Sequence, residues 1–144
     1  MSLPLRLQPG IGAVIFDAGG RVLLHFRRDD RGWAPPSGSV RAGESLEDAL
    51  RREIDEEPTL SIDIAGLVGI YSDPSFQVLP TSDGSRTHFI TCVFRCAVRD
   101  GTLHGSDEGL SWEWFDPHRL PDPLLPYARV WLDDAFTADA PRVR

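Results

Sequence analysis

Four acidic residues are concentrated in the segment RREIDEEPTL. They are Glu53, Asp55, Glu56 and Glu57, and Pro58 follows them directly. Carboxylate oxygens are the ligands that hard divalent ions such as Mg²⁺ and Mn²⁺ prefer. A solvated, charged end of a helix would have the same composition. The two interpretations differ in where the side chains point, and this depends on the helix that carries them.

A helix is predicted to begin near Leu46. Ser45 is a favourable N-cap residue, and Asp48 stands three residues after it, as in a capping box. At about 100° of rotation per residue, the apolar side chains of this segment fall on one stripe, which we expect to be buried. They are Leu46, Ala49, Leu50 and Ile54.

Three of the acids continue the line of this apolar stripe. Glu53, Glu56 and Glu57 fall on its side of the helix, whereas Asp55 lies on the opposite, solvated arc. Carboxylates on adjacent turns repel one another, and the macrodipole disfavours negative charge near the C-terminus of a helix. A divalent ion would offset both effects, so the pattern favours a metal site over a frayed acidic end paired with neighbouring arginines.

Length and charge restrict the class of protein. The chain has 144 residues, of which 41% are hydrophobic, so we expect one globular domain over 1–144, with a core at 5–137 and frayed ends at 1–4 and 138–144. The formal net charge is −7 and no basic run occurs, which argues against binding to polymeric nucleic acid or to a membrane surface. No apolar stretch reaches the length of a membrane span and no leader pattern is visible, so the expected location is the cytoplasm.

The hydrophobic pattern predicts a sheet that is flanked by helices. Strands are expected at 12–16, 21–26, 61–71, 88–98 and 112–115, with the first two joined as a hairpin. A Pro- and Gly-rich loop separates this hairpin from the acidic helix. Apolar residues at helical spacing between Leu124 and Ala135 predict a C-terminal helix that packs on the sheet.

The segment from Gly38 to Leu60 resembles the signature of the Nudix hydrolases. That signature is Gly, five residues, Glu, seven residues, Arg-Glu, an aliphatic residue, any residue, Glu-Glu, any residue, Gly and an aliphatic residue. The matching residues are Gly38, Glu44, Arg52, Glu53, Ile54, Glu56, Glu57 and Leu60. The chain departs from the signature at its second glycine, which is replaced by Thr59.

The resemblance implies an α/β fold, with an α/β/α sandwich around a mixed β-sheet. It also implies an enzyme that uses Mg²⁺ or Mn²⁺ to hydrolyse a pyrophosphate bond by attack of water on phosphorus. The substrate would be a small nucleoside diphosphate derivative, such as an ADP-ribose-like molecule or a nucleoside triphosphate. Members of the family commonly form dimers, so a homodimer is possible.

The resemblance also assigns the metal ligands. Glu53, Glu56 and Glu57 would bind the metal and would share the activation of the attacking water, since acids around the same ions titrate together. The backbone carbonyl of Ser37 would add one oxygen ligand. Glu108, which precedes the strand expected at 112–115, is either one more ligand or a solvated turn acid.

Other residues are expected to support the site or to bind the substrate. By the resemblance, Arg52 and Glu44 would hold the acids and the loop in place as an ion pair, and Gly38 would allow a close turn before the helix. Arg27 and Arg28 would bind substrate phosphates, unless they pair with neighbouring aspartates. An aromatic ring that could stack on the base is Trp33, although a place in the core is the alternative.

The departure at the end of the signature leaves a second function open. Pro58 pushes Glu57 away from helical angles, and β-branched Thr59 resists the left-handed conformation of a helix C-cap. The helix is therefore expected to end a residue early, which affects Glu57 more than Glu53. The alternatives are a nucleotide-binding or regulatory module with weakened catalysis, and a small acidic domain without a site.

Overall fold

A computed structural model of the chain describes residues 4–56, 60–81, 83–100 and 112–144. Within these ranges the strands are β1 (Arg6–Phe16), β2 (Val22–Arg27), β3 (Gly32–Ala34), β4 (Ser37–Ser39), β5 (Ser61–Tyr71), β6 (Val78–Pro80), β7 (Arg86–Asp100), β8 (Trp112–Phe115) and β9 (Arg142–Val143). The helices in the same ranges are α1 (Leu46–Glu56), α2 (Pro74–Gln77) and α3 (Pro126–Thr137). None of these helices is long and apolar enough to cross a membrane.

The strands form one mixed sheet, as expected. Its main order is β3-β2-β1-β7-β5-β9, with β4 paired to β1, β6 to β7 and β8 to β2. The pairs β1–β7 and β5–β9 are parallel, and the other pairs are antiparallel. The long strand β1 is central to the arrangement, because it pairs with β7 along its whole length and with β4 opposite Gly10, Ile11 and Gly12.

The side chains of β1 alternate between two cores. Ile11, Ala13 and Ile15 are buried in the core that contains α1, whereas Val14 is buried in the core that contains α3. Successive side chains of a strand point to opposite faces of a sheet, so the two helices lie on opposite faces. This arrangement confirms the expected α/β/α sandwich.

Helix α1 begins and packs largely as the sequence predicts. The backbone N–H of Asp48 donates to Ser45 Oγ at 3.1 Å, which caps the first turn. Ala49, Leu50 and Ile54 are buried, but the side chain of Leu46 is 39% exposed. The buried stripe therefore begins one turn later than expected.

Two segments expected to be loops contain short elements. The Pro- and Gly-rich loop contains β3 and β4, and the segment after β5 contains α2 and β6. Each of these elements has three or four residues. Such lengths are too short for hydrophobic periodicity to reveal.

The fraying expected of residues 138–144 is not observed. Strand β9 pairs with β5, and Gly69 makes this possible because a Cβ there would lie 2.6 Å from the carbonyl oxygen of Arg142. The guanidinium of Arg144 donates to the buried carboxylate of Asp134 at 2.9 and 3.1 Å. Pairing with β5 and the ion pair of Arg144 with Asp134 on α3 thus hold this segment against the sheet.

Candidate active site

Glu53 of α1 lies directly above Gly38 of β4. A Cβ built on Gly38 would lie 2.2 Å from Glu53 Oε1 and 2.3 Å from its carboxyl carbon. The backbone of Gly38 does not have a positive φ. The first glycine of the signature is therefore required for space rather than for a turn, and it brings the strand backbone against the carboxylate.

Arg52 ties the acids of the signature to the loop before the helix. Its Nε and Nη2 donate to the two oxygens of Glu44 at 2.7 and 2.9 Å, and its Nη1 donates to Glu53 Oε1 at 3.0 Å. Nη2 also donates to the carbonyl oxygen of Ser39 at 3.0 Å. The Arg52 side chain is only 15% exposed, so its planar fork fixes three partners in one geometry.

Glu44 is held as a carboxylate by the same arrangement. The hydrogen bonds from Arg52, with a further one from the backbone N–H of Arg41, lower the pKa of Glu44 to about 2. Glu44 therefore stays charged under all ordinary conditions. It serves as an anchor for Arg52 and not as a proton carrier.

Two of the carboxylates expected to bind a metal ion lie among the described residues, both on helix α1, and Ser37, whose carbonyl was the further expected ligand, lies in β4. Glu53 is 29% exposed, and no donor among the described residues reaches its Oε2. Glu56 follows one turn later and is exposed. The described parts of the chain contain no group of three or more His, Cys, Asp or Glu that could hold an ion. Glu57 and Glu108 lie outside the described residues.

A cavity of about 680 Å³ opens beside β4. It is lined by residues of β1, of β2 and the turn after it, of β4, of the α2–β6 segment, of β7 and of α3. They are Ile11, Arg27, Asp29, Asp30, Ser37, Gly38, Ser39, Gln77, Leu79, Pro80, Thr81, Phe89, Thr91, Tyr127 and Trp131. This volume is within the range of small-molecule sites. Gly38 lines the cavity and Glu53 covers the Cβ side of Gly38, so the carboxylate contacts a residue of the cavity wall, although Glu53 is not itself among the lining residues.

Arg27 is the one cationic side chain among the described residues that line the cavity. Its Nε lies 2.7 Å from Asp30 Oδ2, and its Nη1 donates to the Tyr127 hydroxyl at 3.4 Å. Asp30 is 8% exposed, and the contact is an ion pair without the alignment of a hydrogen bond. The sequence left Arg27 either to bind a phosphate or to pair with a neighbouring aspartate. In the structure Arg27 pairs with Asp30, and it also lines the cavity.

The other two residues expected to bind substrate do not line this cavity. Arg28 is exposed on the turn after β2. Trp33 packs edge-on against Phe26 and Phe115, with ring centroids 5.6 and 5.0 Å apart, at the border of the core under α3. Their roles in substrate binding stay predictions.

Sequence reasoning did not select a polar network on the far side of the cavity. The Gln77 amide donates to the carbonyl oxygen of Phe89 and to Thr91 Oγ1, and it accepts from Trp131 Nε1. Gln77 lies in a segment without periodicity, so the sequence carried no signal for it. The strand pattern placed Phe89 and Thr91 on one face of β7, but it did not show that this face borders a cavity.

Comparisons with known proteins agree with the fold and with the signature. The family model of the NUDIX domain matches residues 6–136. Over 133 residues, the chain is 32% identical to an ADP-ribose pyrophosphatase of Methanocaldococcus jannaschii, covering 90% of this chain and 75% of that protein. Over 140 residues, it is 28% identical to an RNA pyrophosphohydrolase of Novosphingobium aromaticivorans, covering 87% of each.

A solved structure shows the same fold. The MutT protein from Methanosarcina mazei Go1 superposes with a TM-score of 0.71 at 21% identity, covering 92% of this chain and 94% of that one. The chain therefore belongs to the Nudix family. Its relatives are named as enzymes that hydrolyse pyrophosphate bonds, which confirms the class expected from the signature, a Nudix-type pyrophosphohydrolase acting on acid anhydrides.

Proposed function

We propose that this protein hydrolyses a pyrophosphate bond in a small nucleoside diphosphate derivative, with Mg²⁺ or Mn²⁺ as cofactor and water as the nucleophile. The observation that carries the proposal is the position of Glu53. Its carboxylate is held by Arg52 and lies against Gly38, which is one of the residues that line a cavity large enough for a nucleotide. A carboxylate behind the wall of such a cavity is suited to hold an ion beside a diphosphate that binds along this wall.

The residues present suit a hard divalent ion. Glu53 has an oxygen without a donor in the described structure, and Glu56 stands on the same helix face one turn later. The carbonyl oxygen of Ser37 and the carboxylates of Glu57 and Glu108 are the further candidate ligands. When bound, the ion would neutralise charge on the phosphate oxygens and promote deprotonation of water.

The chain's own residues orient these groups. Arg52 restrains Glu53 Oε1, which leaves the other oxygen for the ion, and Glu44 restrains Arg52. Arg27, on the wall of the cavity, supplies a guanidinium that suits a phosphate of the substrate. A cytoplasmic location, a small nucleotide substrate rather than a nucleic acid polymer or a membrane, and the possible homodimer belong to the same proposal.

The proposal is tested with a panel of substrates. ADP-ribose, a nucleoside triphosphate, a dinucleoside polyphosphate and a 5′-triphosphorylated RNA are incubated with Mg²⁺ and, separately, with EDTA. We expect release of two phosphorylated products from at least one small nucleotide, and loss of turnover in EDTA. Tight nucleotide binding without metal-dependent turnover would instead support the alternative function, a nucleotide-binding or regulatory module with weakened catalysis. Preferential cleavage of the RNA would overturn the proposed substrate class.

The contribution of Glu57 is tested without measuring activity. Crystals soaked in Mn²⁺ show which carboxylates contact the ion. Density that contacts Glu53 and Glu56 but not Glu57 would agree with the early end of the helix before Pro58. Density at all three glutamates would show that the change in sequence is tolerated, and absence of the ion would contradict the proposed cofactor.

A further inference from the structure

The side chain of Gln77 has one possible orientation. Trp131 Nε1 can only donate and the Phe89 carbonyl can only accept, so the Gln77 amide oxygen must face the indole, at 3.1 Å, and its nitrogen must face Phe89, at 3.2 Å. The nitrogen then donates its second hydrogen to Thr91 Oγ1 at 3.1 Å. Gln77 and Trp131 are each 2% exposed, so the network is protected from competing water.

This orientation determines what Thr91 offers to a ligand. One lone pair of Thr91 Oγ1 is occupied by the Gln77 amide, and accepting that bond polarises the hydroxyl as a donor. Among the described residues, no acceptor is within hydrogen-bonding reach of the Thr91 proton. A buried donor without a partner is costly, and Thr91 is only 3% exposed while it lines the cavity.

Gly10 leaves the space beside this hydroxyl open. A Cβ at Gly10 would lie 2.8 Å from Thr91 Oγ1, 3.3 Å from the Phe89 ring and 3.5 Å from the carbonyl oxygen of Gly38. Gly10 thus lies between the Thr91 hydroxyl and the backbone of Gly38 in β4. Strands in a sheet are about 4.8 Å apart, so two spacings separate β4 from β7 by about 10 Å. A nucleoside can bridge this span with its phosphates toward β4.

We propose that Thr91 is a specificity-determining residue that donates a hydrogen bond to an oxo group on the base of the substrate. Phe89, two residues earlier on the same strand face, provides an aromatic wall of the cavity for that base. An amino group could donate only to the second lone pair of the hydroxyl, and the Thr91 proton would then keep no acceptor among the described residues. The inference rests on the proposed function and extends it, because it predicts a preference for 6-oxopurine over 6-aminopurine substrates.

The test compares inosine and adenosine diphosphate derivatives that carry the same leaving group. Their bases differ at C6 and in the protonation of N1. We expect the wild type to favour the inosine compound in kcat/KM by about tenfold, as for one hydrogen bond in a buried site. Thr91→Val keeps the side-chain shape and removes the hydroxyl, so it should bring the ratio close to one by weakening turnover of the inosine compound. Thr91→Ser restores the hydroxyl and should restore the preference.

Several outcomes would overturn the inference. One is a Thr91→Val variant that stays folded by circular dichroism and either leaves the ratio of kcat/KM unchanged or loses kcat/KM equally for both compounds. A wild-type preference for the adenosine compound would have the same meaning. If the wild type hydrolyses neither compound, the inference is decided by calorimetry with inosine and adenosine diphosphates, and the proposed function is decided separately by the panel of substrates. Tighter binding of the inosine compound that Thr91→Val abolishes would support Thr91, and equal binding would overturn its role.

Discussion

At the scale of single residues, the candidate site depends on two contacts between distant parts of the chain. Gly38 leaves room for the carboxylate of Glu53, and Arg52 joins that carboxylate to Glu44 and to the backbone of Ser39. Each contact holds Glu53 in one position. Changes at these contacts should therefore affect catalysis more than stability.

Gly38→Ala should displace the Glu53 carboxylate. The added Cβ would overlap Glu53 Oε1, and a displacement of about 1 Å can reduce a rate by about 100-fold. We expect a fall of this order in kcat, measured with the substrate found in the panel. Gly66→Ala is the matched control, since Gly66 is also in a strand and its Cβ would meet no atom within 4 Å. Equal activity in the two variants would contradict the account.

Arg52→Lys should lower kcat by about tenfold or more, because an ammonium cannot hold Glu44 and Glu53 in the geometry of the planar fork. The neighbouring Arg51→Lys is the control. Arg51 bonds Glu47 and the carbonyl oxygen of Ile62, away from Glu53. Steady-state kinetics of both variants would measure the difference. A larger loss of kcat in Arg51→Lys would show that the fork around Arg52 is not what positions the acids.

Residue spacing predicted which side of α1 carries Glu53, and the resemblance predicted the ion pair of Arg52 with Glu44, but neither predicted the contact of Glu53 with Gly38. Rotation about a helix axis is a local property, so the side of α1 that carries Glu53 could be read from residue spacing. The contact of Glu53 with Gly38 joins two elements, and no local rule describes it. Thr91 and Gln77 were missed for the same reason, because their role depends on which strands border the cavity.

At the scale of elements, strands β2 and β8 bury an imidazole. The ring of His25 stacks on Trp112 with centroids 4.4 Å apart, and its nitrogens have no hydrogen-bond partner among the described residues. Burial, with a smaller effect from the charge of Arg27, lowers the pKa of His25 from 6.5 to about 4. The imidazole is therefore neutral in the folded protein at neutral pH.

The low pKa of His25 predicts acid sensitivity in a defined range. Between pH 6.5 and 4 the unfolded chain binds a proton at this residue and the folded chain does not, so the free energy of unfolding should fall as the pH is lowered through this range. The loss is of the order of 3 kcal/mol. Urea unfolding at several pH values should show a smaller loss in His25→Phe than in the wild type. The exposed His118→Phe should behave as the wild type, and identical pH profiles for all three proteins would refute the prediction.

The packing of α3 against β5 includes a buried polar link. The hydroxyl of Tyr71 donates to Asp134 Oδ2 at 2.9 Å, and the same carboxylate accepts a hydrogen bond from the guanidinium of Arg144. Tyr71→Phe should lower the free energy of unfolding by about 1–3 kcal/mol, because a buried charged acceptor loses one donor. Denaturant titration measures this change. An unchanged midpoint would mean that the link contributes nothing to stability.

Elements were predictable where their own residues carried a strand or helix pattern, including the four-residue strand β8. The strands expected at 61–71 and 112–115 have the predicted bounds, and β1 and β7 extend beyond theirs. The short elements that line the cavity, β4, β6 and α2, were not predicted, because they depend on pairing with β1 and β7. The chain after α3 was expected to fray. Its pairing with β5 was not predicted, because that pairing depends on tertiary structure.

At the scale of the whole molecule, an acidic protein has to bind an anion. The formal net charge is −7, so long-range electrostatics do not attract a nucleotide. Under the proposed function, local cations attract it: the guanidinium of Arg27 and a divalent ion held by the acids of α1. The layered fold supports this arrangement, since β4 and β7 line one cavity and α1 packs against β4.

The most direct test of this account is the turnover of Glu53→Gln and Glu56→Gln beside that of Asp55→Asn, each in Mg²⁺. All three substitutions remove one negative charge from the same helix, and Asp55 lies on its solvated side. We predict that the two glutamine variants lose kcat by orders of magnitude while their circular dichroism is unchanged, and that Asp55→Asn stays close to the wild type. Near-wild-type turnover in both glutamine variants would contradict the central claim that these carboxylates form the catalytic metal site.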